Sequence, residues 1–111
     1  MAATANLVIE QGTSFSSGIT VKDLSGDPLD LSGYTATSNM AKGYASTHSR
    51  QAITCGFNSD RTDGVINLSL TAAQTTALDA PARYVYDCDI TASNGTVTRV
   101  IQGLITVKPN V

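Results

Sequence analysis

Short apolar runs recur along this chain every ten to fifteen residues or so, separated by Gly, Asn, Asp and Ser, and that spacing predicts a β-sandwich or small barrel. The first run is Leu7-Val8-Ile9, interrupted by Gln11-Gly12-Thr13. Phe15, Ser17, Ile19 and Val21 then alternate with Ser16, Gly18, Thr20 and Lys22. A period of two with β-branched residues predicts a half-buried strand. Ser25-Gly26-Asp27-Pro28 is turn chemistry, Leu29-Asp30-Leu31 follows, and Ser32-Gly33 turns the chain again. Tyr34 to Lys42 reads as a strand with Ala36, Ser38 and Met40 on one face. Residues 43–50 are polar and predict an exposed loop.

Ile53, Cys55 and Phe57 alternate with Thr54 and Gly56, and Asn58 to Gly64 is a second long turn. Ile66, Leu68 and Leu70 alternate with Asn67 and Ser69. One segment departs from the β pattern. Thr71-Ala72-Ala73-Gln74 has the form of a capping box, so a helix of one or two turns is expected over 72–78, ended by Asp79-Ala80-Pro81. Tyr84, Tyr86, Cys88 and Ile90 alternate with Val85, Asp87, Asp89 and Thr91, Asn94-Gly95 signals a hairpin, and 97–107 returns as a long strand. The sum is about seven antiparallel strands in one domain spanning 1–111, an immunoglobulin-like β-sandwich with an extended N-terminal arm over 1–6.

Composition narrows the chemistry. Hydrophobic residues are 41% and charged residues only 14% of the chain, well under the roughly 25% charged of an average domain. The seven Lys and Arg are scattered, so no basic stripe is present to neutralise phosphates or meet an anionic bilayer. Neither nucleic acid nor a membrane is expected as a partner. The N-terminus lacks the features of a secretory signal, so either synthesis in the cytoplasm or a mature form of the chain is expected.

The candidate catalytic groups are few. His48 is the only histidine and sits in a polar stretch, away from any Ser or Cys nucleophile in sequence. Two cysteines and one histidine fall short of a zinc set. Asp60, Asp63, Asp87 and Asp89 do not follow an EF-hand spacing; Asp87 and Asp89 are expected on the wet face of their strand. No enzyme, metal or cofactor is therefore expected. Cys55 and Cys88 both fall on inward faces; in a cytosolic product two buried thiols are expected, with a disulfide as the alternative. Asn67-Leu68-Ser69 and Asn94-Gly95-Thr96 match the glycosylation sequon, which is short and common.

Several segments, taken in order, resemble small virion proteins of tailed bacteriophages. They are Leu7-Val8-Ile9-Glu10-Gln11-Gly12-Thr13-Ser14-Phe15, then Gly26-Asp27-Pro28-Leu29-Asp30-Leu31-Ser32-Gly33-Tyr34-Thr35-Ala36. Leu68 to Thr75, Arg83-Tyr84-Val85-Tyr86-Asp87 and Gly95 to Gly103 continue the series. Proteins of this kind that it resembles include baseplate and tail proteins with an immunoglobulin-like domain, such as the N-terminal domain of baseplate upper proteins, and small structural proteins of cyanophages. The resemblance implies a non-enzymatic virion subunit that docks on other virion proteins, as a tail, baseplate or neck adaptor within a symmetric homo-oligomer. Capsid decoration is the alternative, followed by a carbohydrate-binding module with Tyr34 and Tyr44 as exposed platforms. Two regions are the candidate interface. The first is Leu7, Val8 and Ile9 near the N-terminus, with the arm reaching to a neighbour; the second is the polar loop with Tyr44, His48 and Arg50.

Overall fold

The computed structural model describes residues 3–42 and 50–109. These residues form eight strands and one short helix: β1 (Ala3–Thr4), β2 (Leu7–Glu10), β3 (Phe15–Thr20), β4 (Thr35–Ala41), β5 (Gln51–Phe57), β6 (Val65–Leu70), α1 (Ala72–Thr76), β7 (Ala82–Thr91) and β8 (Val97–Lys108). The all-β architecture expected from the alternation is the one adopted. Each of the seven expected runs is a strand, and β1 is an addition. The expected arm over 1–6 is bound to the body where it is described, at residues 3–6.

The strands join into one hydrogen-bonded sheet in the order β1-β8-β7-β4-β5-β6-β3, with β2 also on β8. The sheet curls, and β5 is where it bends. Its first residues pair with β4, Ser38 opposite Ile53 and Met40 opposite Gln51. Its last four pair with β6, Cys55 opposite Leu68 and Phe57 opposite Ile66. A strand that changes partner midway carries the sheet round a corner. The split into two sheets expected of a sandwich is thus reduced to this handover within one continuous ladder.

Period-two burial fills the inside of the curl. Ile66, Leu68 and Leu70 on β6, and Tyr84, Tyr86, Cys88 and Ile90 on β7, all point inward. Ile9, Leu31, Met40, Ile101, Ile105 and Val107 complete a core from which water is excluded. Apolar burial of this kind stabilises by about 25 cal/mol per Å².

Turns are fixed by local hydrogen bonds. Asp23 Oδ1 accepts from the Ser25 and Asp27 N–H groups, and Asp30 Oδ1 from the Ser32 N–H. Asp60 caps the 3₁₀ turn Arg61–Asp63 by accepting from the Thr62 N–H at 3.0 Å and the Thr62 hydroxyl at 2.5 Å. Those bonds favour the charged carboxylate and hold Asp60 below its usual pKa. Arg61, one of the scattered cations, is a structural residue. Its guanidinium donates to the Tyr34 carbonyl at 2.9 Å and lies 4.2 Å from the Phe57 ring centre.

The expected capping box is present: Thr71 Oγ1 accepts from the Gln74 N–H, and Gln74 Oε1 accepts from the Thr71 N–H. The helix stops at Thr76, short of the expected 78, because the Leu78 N–H turns to the Thr75 carbonyl and tightens the end. The β7–β8 hairpin forms at Asn94-Gly95. No described non-glycine residue has positive φ, while Gly95 sits at φ 92°. The loop is therefore a turn followed by a left-handed glycine, not the two-residue type I′ turn.

Candidate interaction surface

β8 organises the exposed apolar surface. Residues 3–10 lie along it in parallel, Ala3 opposite Ile101 and Leu7 opposite Ile105. The Ala5 N–H donates to the Gln102 carbonyl, the Tyr86 hydroxyl donates to the Ala5 carbonyl at 2.5 Å, and the Leu104 N–H donates to Asn6 Oδ1. Burial and the neighbouring Cys88 push the Tyr86 phenol up to about 12, so it stays a donor. Gly103 makes room for this arrangement: a Cβ there would run into the Ala5 carbonyl. Residues 3–6, the described part of the expected arm, are therefore clamped to their own domain.

The candidate interface at Leu7, Val8 and Ile9 divides by strand alternation. Ile9 is wholly buried and Leu7 packs against the core. Ile9 is thus a core residue, and of the three only Val8 faces solvent, at 53% exposure. Its register partner is Thr106, and Thr106 is two residues from Leu104, which shares its face. On the same outer face Leu104 pairs with Val85 and Gln102 with Asp87. Arg99 joins Asp87 at 3.3 Å and Asp89 at 3.1 Å there, as expected for the wet side of β7. These ion pairs are solvated and contribute little to stability.

Four large apolar side chains stand exposed among the described residues: Val8, Leu24 at 95%, Val97 at 62% and Leu104 at 37%. All four border β8. Val97 and Leu104 lie on it, and Val8 lies on its neighbour β2. Leu24 lies across a groove of about 590 Å³ that is lined by Ala3, Val21, Leu29, Thr98 and Val100. This groove separates the end of β3 from β1 and β8, the two margins of the curled sheet.

Of the second candidate region, Tyr44 and His48 lie outside the described residues. Arg50 is exposed and borders a cleft of about 280 Å³ with Lys42, Gln51, Leu78, Asp79 and Tyr84. The Lys42 ammonium pairs with the Asp79 carboxylate, which holds it above its usual pKa. The Tyr84 hydroxyl accepts from the Asp79 N–H at 2.9 Å. Tyr34, expected as an exposed platform, instead packs against the core.

Sequence reasoning missed Leu24, Val97 and Leu104. Leu24 sits inside turn chemistry, where an apolar residue carries no periodic signal, and Val97 and Leu104 read as ordinary members of a strand. Among the described residues no three His, Cys, Asp or Glu side chains gather as a metal set, and no helix is long and apolar enough to cross a membrane. No family model matches the chain, and no curated protein matches it.

Proposed function

We propose that this chain is a non-enzymatic structural subunit of a tailed-phage virion, an immunoglobulin-like domain that docks on other virion proteins as a tail, baseplate or neck adaptor. The observation that carries the reading is the apolar border of β8. Exposed apolar side chains gathered along one strand, and rimmed by polar groups such as Gln102, Arg99 and Asp87, suit a protein contact. The parallel pairing of the N-terminal strands with the last strand, and the meander of β7 and β8 beside β4, support the immunoglobulin-like description. The resemblance of the ordered segments to phage virion proteins supplies the kind of partner.

The test is association. Purified protein is sized by light scattering and sedimented with virions or tails that lack it. A stable oligomer, or saturable binding to a virion part, is expected. The exposed-site variant Val97→Glu/Leu104→Glu is expected to fold and to bind at least about ten-fold more weakly, since burying an unpaired charge at a contact costs more than the roughly 1.4 kcal/mol of a ten-fold change. A strict monomer that ignores virion parts but is retained on host polysaccharide would overturn this reading.

A further inference from the structure

The handover of β5 decides where Cys55 points. Ser38 pairs with Ile53 on one side and with Cys88 on the other. The side chains of Ile53, Ser38 and Cys88 therefore lie in a row on the inner face. Cys55 lies two residues beyond Ile53 on that same face, at a point where β5 has left β4 and pairs with Leu68 of β6. The curl of the sheet brings Cys55 over the core that contains Cys88. There the two thiols are near enough that each shifts the ionisation of the other.

Both cysteines are free thiols, and their surroundings differ. Cys88 is wholly buried, whereas Cys55 is partly open to solvent. The Cys55 S–H donates to the Ile53 carbonyl at 3.6 Å, and the neighbouring Cys88 thiol lowers the Cys55 thiol below its usual value. The neighbouring Cys55, burial and the nearby Asp89 and Asp87 carboxylates raise Cys88. Cys55 is thus the reachable thiol that ionises first, and Cys88 is the buried one beside it.

We propose that Cys55 and Cys88 form a disulfide when a low-molecular-weight disulfide such as glutathione disulfide reaches Cys55, and that this bond ties β5 to β7 across the inside of the curl. The Cys55 thiolate attacks one sulfur of the small disulfide, expels one thiolate and leaves a mixed disulfide on Cys55. Cys88 then gives up its proton and attacks the Cys55 sulfur, which expels the second thiolate. The protein loses two electrons and two thiol protons; the small disulfide gains both and becomes two thiols. A reducing cytosol keeps the pair as thiols, and an oxidising medium closes it. The bond would join the half of the sheet built by β6 and β3 to the half built by β7 and β8. This inference is independent of which partner the protein docks on.

The experiment treats reduced, purified protein with glutathione disulfide and removes the excess. The expected product is lighter by two hydrogens, carries no glutathione, and yields one peptide pair joined through Cys55 and Cys88. Closing a loop on the order of 30 residues is expected to raise Tm by roughly 10 °C, reversed by dithiothreitol. Cys88→Ala is expected to stop at a glutathione adduct on Cys55, and Cys55→Ser to stay unmodified. Wild-type protein that stops at one or two adducts, or that remains reduced, would overturn the proposal without touching the docking reading.

Discussion

Glycines show how unequal the same residue type is from place to place. Gly64 and Gly95 both hold left-handed backbone, at φ 71° and 92°. An added Cβ at Gly95 meets nothing within 4 Å, whereas at Gly64 it would lie 2.7 Å from the Val21 carbonyl oxygen and 2.9 Å from the Leu29 nitrogen. Gly95→Ala is therefore expected to cost only the conformational penalty, about 1 kcal/mol. Gly64→Ala adds a backbone clash and is expected to cost about 3 kcal/mol. Urea unfolding of the two variants side by side checks the difference; equal losses would mean that the junction of residues 21, 29 and 64 gives way freely. At this scale the sequence marks both positions as turns, through Asp63-Gly64 and Asn94-Gly95. It does not show which glycine is pressed against backbone from a distant segment.

At the scale of elements, α1 is too short to be stable alone. Its capping box supplies only local bonds, and Thr75 anchors it to the rest of the fold. The Thr75 hydroxyl accepts from the Gly12 N–H at 3.1 Å and donates to the Thr13 carbonyl at 2.8 Å, with no exposure to solvent. Gln11 adds a bond to the Leu78 carbonyl at 2.8 Å. Together these fasten the helix to the β2–β3 turn. Thr75→Val keeps the shape and removes the hydroxyl, which leaves the Gly12 N–H without its partner. A loss of about 2 kcal/mol is expected, with faster amide exchange at Gly12 than at the capping residues Thr71 and Gln74. The helix itself was legible, because a capping box is a four-residue signal. Its anchoring was not, because the partners lie more than sixty positions away.

For the whole molecule, the clamp of residues 3–6 on β8 is the feature most open to a single change. Gly103 lets the Ala5 carbonyl approach β8. Gly103→Ala is expected to displace residues 3–6 while β7 and β8 stay paired, at a cost of about 1–3 kcal/mol. The readout is hydrogen exchange: protection falls at the Ala5 N–H and persists along Tyr84 to Ile90. Global loss of protection would show that the clamp is integral to the sheet. Displacing the clamp also uncovers the β8 margin, so the same variant is expected to alter association wherever that margin is the contact.

The local sequence pattern determined, by itself, seven of the eight strands, the inward face of nearly every strand, the helix start and the hairpin at Asn94-Gly95. Each of these rests on neighbours within a few positions, and a period of two or a capping box is written in such neighbours. Tertiary structure decided everything that joins distant segments. It made one curled sheet through the partner change in β5, sent Ile9 to the core while leaving Val8 outside, and laid residues 3–6 on β8. It also set Val8, Val97 and Leu104 on or beside one strand, with Leu24 across a groove from it, and brought Cys55 beside Cys88. Which exposed side chains share a surface depends on register and curl, and those are set by the packing of the whole core rather than by any local run.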